Sequence, residues 1–408
     1  MRVEARTRVT YMDTHFLYIH RFSMVAIGLW PYHRTMLVQL QCSVFSLTLI
    51  SFIIFQLTTF LTTEWTYDII VEILSIVLLS LVCAILYNSF WINTHVVKRV
   101  LKTLQYICSD LKDENEIAII NRYGYIAKCA TIGMTLFMMC FFFIVTLLPI
   151  LPRIFGIFFL ANKSEPYRNI YIRTEYFVDE EKYFYFILLH LYAVLYIAAG
   201  TILATQTAML GYFIYCCGLF NIASYRIEQA MRIIDEITNR TNKRQVDKKI
   251  SHAVDIHRTT LKVIEFYLYN FEDTWFLLIV LVVICLSLHL FGIFQAISIV
   301  FKMENFVLHF SFTLGILLCT FAGNYIGEAI TEHYNYIFST AYNVRWYDAP
   351  IRVQRLIFFL LQRGTMSYAM KFGGVYTLSL ENFATVKLLY IMCQYVYIIY
   401  IVYVYTEN

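Results

Sequence analysis

The longest run without a charged side chain lies at residues 183–225, where 43 residues contain no Lys, Arg, Asp or Glu. About 20 apolar residues are enough for one helix to cross a bilayer. Composition agrees with a membrane protein, since 60% of the residues are hydrophobic and 15% are charged, against about 25% charged in soluble domains. Six further apolar stretches lie at residues 36–61, 69–92, 129–151, 276–301, 305–327 and 380–403. The sequence therefore predicts an all-α membrane protein with seven transmembrane helices.

The fourth stretch is longer than one crossing requires. As a single helix, residues 183–225 would measure about 64 Å at 1.5 Å per residue. As two crossings, they would leave almost no room for a polar turn. The following residues 226–262 carry nine Lys or Arg, and a second crossing would put this charge on the wrong side of the membrane. We therefore predict one crossing by a helix that continues into the cytosol.

Basic residues predict the orientation. With this topology, 25 Lys and Arg lie on the side of the N-terminus and six on the other side, with Lys387 inside the seventh span. Cytoplasmic loops are enriched in Lys and Arg, so the N-terminus is predicted in the cytosol and the C-terminus outside the cell. The predicted divisions are a cytoplasmic arm at 1–35, six spans at 36–327 with a cytoplasmic extension at 226–270, a cytoplasmic anchor segment at 328–376, and the seventh helix with a short extracellular tail at 377–408.

The cytoplasmic segments carry helical apolar patterns. Residues 352–362 form an apolar stretch flanked by arginines. The long loop repeats apolar residues three and four apart, which indicates amphipathic helices. These helices pack against each other and a neighbouring subunit or lie on the membrane surface, and their mixed acids and bases favour packing. The repeating positions are Ile227, Met231, Ile234 and Ile237, then Ile250, Val254, His257 and Leu261.

Several single residues have more than one interpretation. Asn162 begins an Asn-Lys-Ser glycosylation site in a loop predicted to be extracellular. Glu72 either faces a cavity or reaches water near the end of its span, and His190, His289 and His309 either line a cavity or are satisfied within the helix packing. Most of the ten cysteines fall in apolar stretches, which predicts free thiols rather than a disulfide framework. We see no cleavable signal peptide, so the first span is expected to direct insertion.

Catalytic signatures are missing from the sequence. It contains no Gly-x-Ser-x-Gly, His-Glu-x-x-His or phosphate-binding Gly-rich loop, so we predict neither an enzyme nor a metal or cofactor site. Seven spans also suggest a G-protein-coupled receptor. The predicted cytoplasmic N-terminus argues against that class, as does the lack of an Asp-Arg-Tyr motif at the inner end of span three and an Asn-Pro-x-x-Tyr motif in span seven.

The C-terminal third carries an ordered set of short motifs. Trp-Tyr-Asp-Ala-Pro at 346–350 is followed by Gln-Arg-Leu-Ile at 354–357, Arg363, Phe-Gly-Gly at 372–374 and Ser-Leu-Glu-Asn-Phe at 379–383. Their order resembles that of insect odorant receptors, and the Ser-Leu-Glu-x-Phe start of the last helix is the most specific element. The resemblance covers about residues 342–383, and the seven-span topology extends it to the whole chain.

The resemblance implies a function. Such receptors are ligand-gated, non-selective cation channels of the plasma membrane of sensory neurons, which form tetramers with a shared co-receptor. The last helix lines the pore and the preceding helix lies in a cytoplasmic anchor layer. Carried over from the Ser-Leu-Glu-x-Phe start, the gate falls at Val396 and Tyr400, and Gln394 is polar enough to face water. The bulky stretch 387–395, with its extra Lys387, departs from the family pattern.

The resemblance also implies a pocket for a volatile ligand among spans two, three, four and six. Apolar walls with a few polar groups suit such ligands. The predicted contacts are Glu72, Ser75 and Ile76 in span two, Met138, Met139 and Phe142 in span three, Tyr185, Leu189 and Tyr192 in span four, and Phe310 and Thr313 in span six.

Three alternatives stay open. A gustatory receptor would share the topology, but residues 393–395 match its last-helix pattern poorly. A metabotropic receptor would act through a G protein instead of a pore. A transporter would need broken helices in matching halves, which we do not find in the sequence.

Overall fold

A computed structural model describes residues 17–63, 65–147, 172–235, 240–298, 303–365 and 368–385. This part of the chain is helical apart from a short hairpin, β1 (Lys371–Phe372) paired antiparallel with β2 (Tyr376–Thr377), and a 3-10 turn at Trp346–Asp348. A final helix begins at Leu380 and is described to Thr385. The other helices are α1 Leu17–Ala26, α2 Met36–Leu57, α3 Thr59–Thr62, α4 Tyr67–Ile92, α5 Thr94–Ser109, α6 Glu114–Leu147, α7 Glu180–Asp235, α8 Arg240–Asn270, α9 Glu272–Ser298, α10 Met303–Asn343 and α11 Ile351–Gly364.

Six of the predicted spans are confirmed as long apolar helices. Within the described ranges, α2 with α3, and α4, α6, α7, α9 and α10, are each long and apolar enough to cross a membrane. The prediction for the first span misses only a short break at Thr58. The seventh predicted span lies mostly outside the described residues, which include only its first turn.

Helix α7 is the central column of the bundle. It runs without interruption for 56 residues, as predicted from its lack of charge and of a polar turn. At 1.5 Å per residue it measures about 84 Å, far more than the ~30 Å of a bilayer core. It packs against α6, α8 and α10, and its second half is almost completely buried from Thr205 to Phe220.

A second layer of helices surrounds the part of α7 beyond the predicted span. We call residues 94–128, 226–270 and 328–364 the base layer. Within it, α8 packs against α5, α7 and α11, and α11 also packs against α10. The predicted helix at 352–362 is found as α11, which buries Val353, Ile357 and Leu360 at helical spacing. The side of the membrane on which this layer lies remains a prediction.

Our sequence analysis predicted neither α1 nor the hairpin, and it also missed helix α5. Its three basic residues made the stretch resemble a loop. The apolar spacing was nevertheless present, because Val97, Val100, Leu101 and Leu104 are three or four apart and all buried. The base layer therefore has one amphipathic helix more than expected.

The interior of the base layer is rich in aromatic side chains. His257 on α8 is 5% exposed and contacts the rings of Phe220, Tyr334 and Phe338, with centroids 5.4–5.7 Å away. Burial, with a smaller effect from the charge of Arg363, lowers the pKa of His257 to about 4. This imidazole is therefore neutral at physiological pH and acts as an aromatic core residue.

A buried ion pair joins three helices at the start of the base layer. Arg226 on α7 donates two hydrogen bonds to the carboxylate of Glu116 on α6, at 2.6 and 2.7 Å. Both side chains are largely buried, with 14% and 8% of their surface exposed. Arg226 also reaches the carbonyl of His252 on α8, at 3.4 Å. One guanidinium therefore links α6, α7 and α8.

Removing one partner should leave an uncompensated buried charge. We expect Glu116→Ala to lower the free energy of unfolding by about 3–5 kcal/mol, measured by chemical denaturation of the purified receptor in detergent. Glu114→Ala is the matched control, because Glu114 lies in the same turn but is exposed. Equal losses in the two variants would contradict a structural role for the ion pair.

Candidate functional site

A cavity of about 300 Å³ lies between α4, α6, α7, α9 and α10. Aliphatic and aromatic side chains dominate its walls, with Leu191 on α7 and Ile316 on α10 as examples. Phe141 on α6 meets Phe312 on α10 edge to face, with 5.5 Å between the ring centroids. Small-molecule sites generally measure about 300–1,000 Å³, so the cavity suits a small apolar ligand.

Three of the predicted ligand contacts line this cavity. Ile76 lies on α4, and Met138 and Phe142 lie one turn apart on α6. Ile76 and Met138 are almost completely buried. Ligand contact by these residues stays a prediction, which their common location supports.

The two polar candidates on α4 have other partners. Glu72 forms an ion pair with Arg173 at 3.3 Å, and this partner belongs to the segment before α7. Ser75 is buried, and its hydroxyl donates to the carbonyl of Glu72 at 2.9 Å. Neither is among the residues that line the cavity. Glu72 was expected either to face a cavity or to reach water near the end of its span. The ion pair with Arg173 favours the second interpretation.

Four other candidates lie on the outer surface of the bundle. Met139, Tyr185, Leu189 and Phe310 are 66%, 71%, 67% and 49% exposed. Met139 adjoins the cavity residue Met138 in the sequence but points to a different face of α6. A helix that is apolar on all faces has no periodicity to reveal its rotation, so the sequence could not separate these two neighbours.

The last two candidates are held within the helix packing. Tyr192 donates to the carbonyl of Thr146 at 3.1 Å, which ties α7 to α6. Thr313 is 5% exposed, and its hydroxyl has no hydrogen-bond partner. Neither lines the cavity, and the ligand roles of both remain predictions.

Three polar residues of the cavity wall were not among the ligand contacts predicted from the sequence. Gln206 on α7, Trp275 on α9 and Asn324 on α10 all line it. Gln206 offered a signal, because it is an amide within the 43-residue run that lacks charges. The hydrogen bonds of Asn324 could not be predicted from the sequence, because its partners lie more than 50 positions further along the chain.

Asn324 connects the cavity to the hairpin and to the final helix. Its Oδ1 accepts hydrogen bonds from the hydroxyl of Tyr376 at 3.1 Å and from the backbone N–H of Ser379 at 3.2 Å. Its amide nitrogen donates to the carbonyl of Thr320 at 2.9 Å. Asn324 is 4% exposed. Through these three hydrogen bonds, the amide fixes the entry to the final helix against α10.

The first turn of the final helix is held from α10 as well. Glu328 accepts a hydrogen bond from the N–H of Leu380 at 2.6 Å, where a carboxylate also suits the positive end of the helix dipole. Ser379 caps the helix by accepting from the N–H of Asn382 at 3.1 Å. Phe383 lines the cavity and meets Phe321 of α10 edge to face at 5.7 Å.

Two glycines permit these close contacts. Gly373 in the hairpin turn has φ +57°, and a Cβ there would lie 2.6 Å from the Cβ of Phe276 on α9. A Cβ on Gly327 of α10 would lie 2.2 Å from the Cβ of Leu378. The chain before the final helix is therefore pressed against α9 and α10, where larger residues would not fit.

The three histidines of the spans are not among the cavity residues. His190 on α7 forms hydrogen bonds with the hydroxyls of Ser51 on α2, at 3.1 Å, and of Tyr176 in the segment before α7, at 2.7 Å. These bonds connect that segment to α2. His289 and His309 bond to each other at 3.0 Å and are both buried. Among the earlier alternatives, these contacts favour roles in helix packing.

Some predicted sites lie outside the described residues. They are the gate residues Val396 and Tyr400, the pore residue Gln394 and the glycosylation site Asn162. The nine cysteines within the described ranges are free.

In the described residues, a long central helix, six apolar spans and an apolar cavity define a multi-pass helical membrane protein with an internal cavity. Residues 68–390 match the protein family described as 7tm Odorant receptor. Since the match covers most of the chain, the protein belongs to this odorant receptor family, and the predicted family is confirmed. It is thus a member of a family of chemosensory receptors.

The fold is similar to that of a solved structure, the insect olfactory receptor OR5 from Machilis hrabei. Its complex with eugenol is 13% identical, with a TM-score of 0.72, and the match covers 96% of this chain and 97% of that chain. A second OR5 structure is 13% identical, with a TM-score of 0.74 and coverage of 93% and 95%. A comparison with curated proteins gives no match.

Proposed function

We propose that this protein is an odorant receptor that works as a subunit of a ligand-gated, non-selective cation channel, assembled with a shared co-receptor as a heterotetramer. The observation that carries the proposal is the pair of roles of Asn324. This residue lines the cavity and also binds the backbone at the start of the final helix. A ligand in the cavity therefore lies against the element that the family resemblance assigns to the pore.

The ligand proposed is a small volatile molecule. The cavity offers about 300 Å³ with apolar walls and few polar atoms, which favours compact, uncharged ligands. One solved structure of the similar receptor OR5 is a complex with eugenol, itself a small aromatic compound. Met138 gives the wall a flexible side chain that can adapt to ligands of different shape.

Gating follows from differential binding. A ligand can shift a closed-to-open equilibrium only by binding the open state more tightly. Movement of α10 around the ligand would shift Asn324 and Glu328 together, because they lie one turn apart on that helix. Both hold backbone N–H groups of the final helix, so its first turn would follow. The proposed result is separation of the gate residues Val396 and Tyr400, with Gln394 facing the water of the pore.

Assembly is supported by the outer face of α11. Phe358 and Phe359 are 58% and 65% exposed, while the opposite face is buried against α8 and α10. At 14 residues α11 is too short to span a bilayer. Two adjacent exposed rings on such a helix mark a surface that another subunit can cover. We assign this face to contacts within the tetramer.

The proposed setting is the plasma membrane of sensory neurons. The distribution of 25 basic residues against six favours a cytoplasmic N-terminus, a cytoplasmic base layer and an extracellular C-terminus. Asn162 would then be on the extracellular side, where glycosylation is possible.

The alternative functions of the protein make different predictions. The family match favours an odorant receptor over a gustatory receptor. A metabotropic mechanism makes a different electrical prediction, because it requires a G protein. A ligand-evoked current that persists in cells without G-protein signalling supports the channel, and its loss there would support the metabotropic mechanism.

Filling the cavity should weaken the response to volatiles. Gly315 lines the cavity, and the nearest atom to a Cβ placed there is Cε2 of Phe141 at 3.9 Å. We expect Gly315→Leu to reduce the potency of responding volatiles about tenfold or more, since overpacking generally costs about 1–3 kcal/mol. Currents are recorded from cells that express the receptor with and without the co-receptor, using a panel of volatiles.

The matched control is Gly133→Leu on α6. Gly133 is exposed, and no atom lies within 4 Å of a Cβ placed there. Equal effects of the two substitutions would contradict a ligand site in the cavity. Silence of the unmodified receptor with every volatile and in both cell types, despite surface expression, would contradict the odorant-gated channel.

The contact between Glu328 and the final helix should transmit the ligand signal. Glu328→Ala removes the acceptor for the N–H of Leu380, so we expect a maximal ligand-evoked current reduced several-fold at equal surface expression. Glu328→Gln keeps an acceptor oxygen and should retain more of the current. Glu332→Ala, one turn further along α10 at an exposed position, is the control. A normal maximal current in Glu328→Ala would rule out this route of coupling.

A further inference from the structure

Two buried polar atoms on the cavity wall have no hydrogen-bond partner. They are Oε1 of Gln206 on α7 and Nε1 of Trp275 on α9. Trp275 is 8% exposed. Leaving a buried donor or acceptor unpaired is costly, and such groups are rare in native proteins. Their presence in one cavity calls for a partner that enters it.

Thr320 and Tyr376, two other polar residues of the wall, are engaged within the protein. The hydroxyl of Thr320 donates to its own helix, at the carbonyl of Ile316, 2.8 Å away. The hydroxyl of Tyr376 donates to Asn324. The indole of Trp275 is fixed by stacking on Phe372, with centroids 4.4 Å apart and planes 9° from parallel. The amide oxygen of Gln206 and the N–H of Trp275 are therefore left for a ligand.

The chemistry of these atoms selects among volatile compounds. A carbonyl oxygen only accepts hydrogen bonds, so Gln206 Oε1 requires a donor. Hydrocarbons, ethers, esters and ketones have none, and an ammonium group would lose its hydration in an apolar cavity. A hydroxyl donates through its hydrogen and leaves its oxygen free to accept from an N–H such as that of Trp275.

We infer that Gln206 gives this receptor a preference for small apolar ligands that carry a hydroxyl group, namely alcohols and phenols. The inference rests on the proposed function, because it takes the cavity as the ligand site. It adds a ligand class and a residue that determines specificity.

Two sets of isosteres test the inference. One contains 1-octanol, heptyl methyl ether and nonane, and the other contains 2-phenylethanol, benzyl methyl ether and propylbenzene. Within each set the molecules have the same number of heavy atoms and differ in hydrogen bonding. We expect the alcohol to bind about tenfold more tightly than the ether or the hydrocarbon in at least one set. Binding to the purified receptor is measured as a ligand-dependent rise in unfolding temperature, and potency is measured from currents.

Gln206→Met keeps the length and flexibility of the side chain but removes the acceptor. We expect it to reduce alcohol binding to the level of the ether while hydrocarbon binding stays unchanged. The control is Gln56→Met on α2. Gln56 is buried and both polar atoms of its amide lack hydrogen-bond partners, but it does not line the cavity. This control should keep the preference for alcohols.

Three results would overturn the inference. They are equal affinity of the alcohol and its isosteres, a preference that survives in Gln206→Met, and no detectable alcohol binding in either set. The two measurements separate this inference from the proposed function. Alcohol-selective binding without any current would contradict the channel, whereas currents without alcohol selectivity would contradict the role of Gln206.

Discussion

The structure depends on one constraint, which is that α7 cannot end within the hydrocarbon core. Its 43-residue run has no charged side chain and no room for a polar turn, and an interrupted helix in lipid would leave backbone groups without partners. The helix therefore continues for 56 residues and joins the spans to the base layer as one rigid element. Arg226, just beyond the charge-free run, ties it there through the buried carboxylate of Glu116.

Helix α7 runs through two regions of the molecule, one that contains the cavity and one that consists of the base layer. Along the spans, α4, α6, α9 and α10 stand around α7 and leave a cavity between them. In the base layer, α5 and α8 pack against α7, and α11 packs against α8 and α10. The two regions meet at α10, which lines the cavity with Asn324 and contacts α11 further along. α10 is thus the element best situated to carry a change from one region to the other.

The sequence was sufficient for features that depend on length, charge and local spacing. The spans, the unbroken α7 and the helix α11 could all be predicted in this way. Helix α5 was missed because its basic residues concealed an apolar face. Three of the eleven predicted ligand contacts line the cavity. The sequence shows which residues belong to a span, but it does not show which face of an apolar helix points into the bundle. The contacts of Asn324 and Glu328 with residues 52–55 positions later depend on tertiary packing.

The central claim is that a volatile ligand occupies the cavity against α6, α7 and α10. Photolabelling with a volatile alcohol that carries a diazirine, followed by mass spectrometry, tests it most directly. The account predicts labelling of Met138, Leu191 and Ile316 that excess unlabelled alcohol suppresses. Suppressible labelling at the outward-facing Met139 or Leu189 instead, with none at Met138, would contradict it.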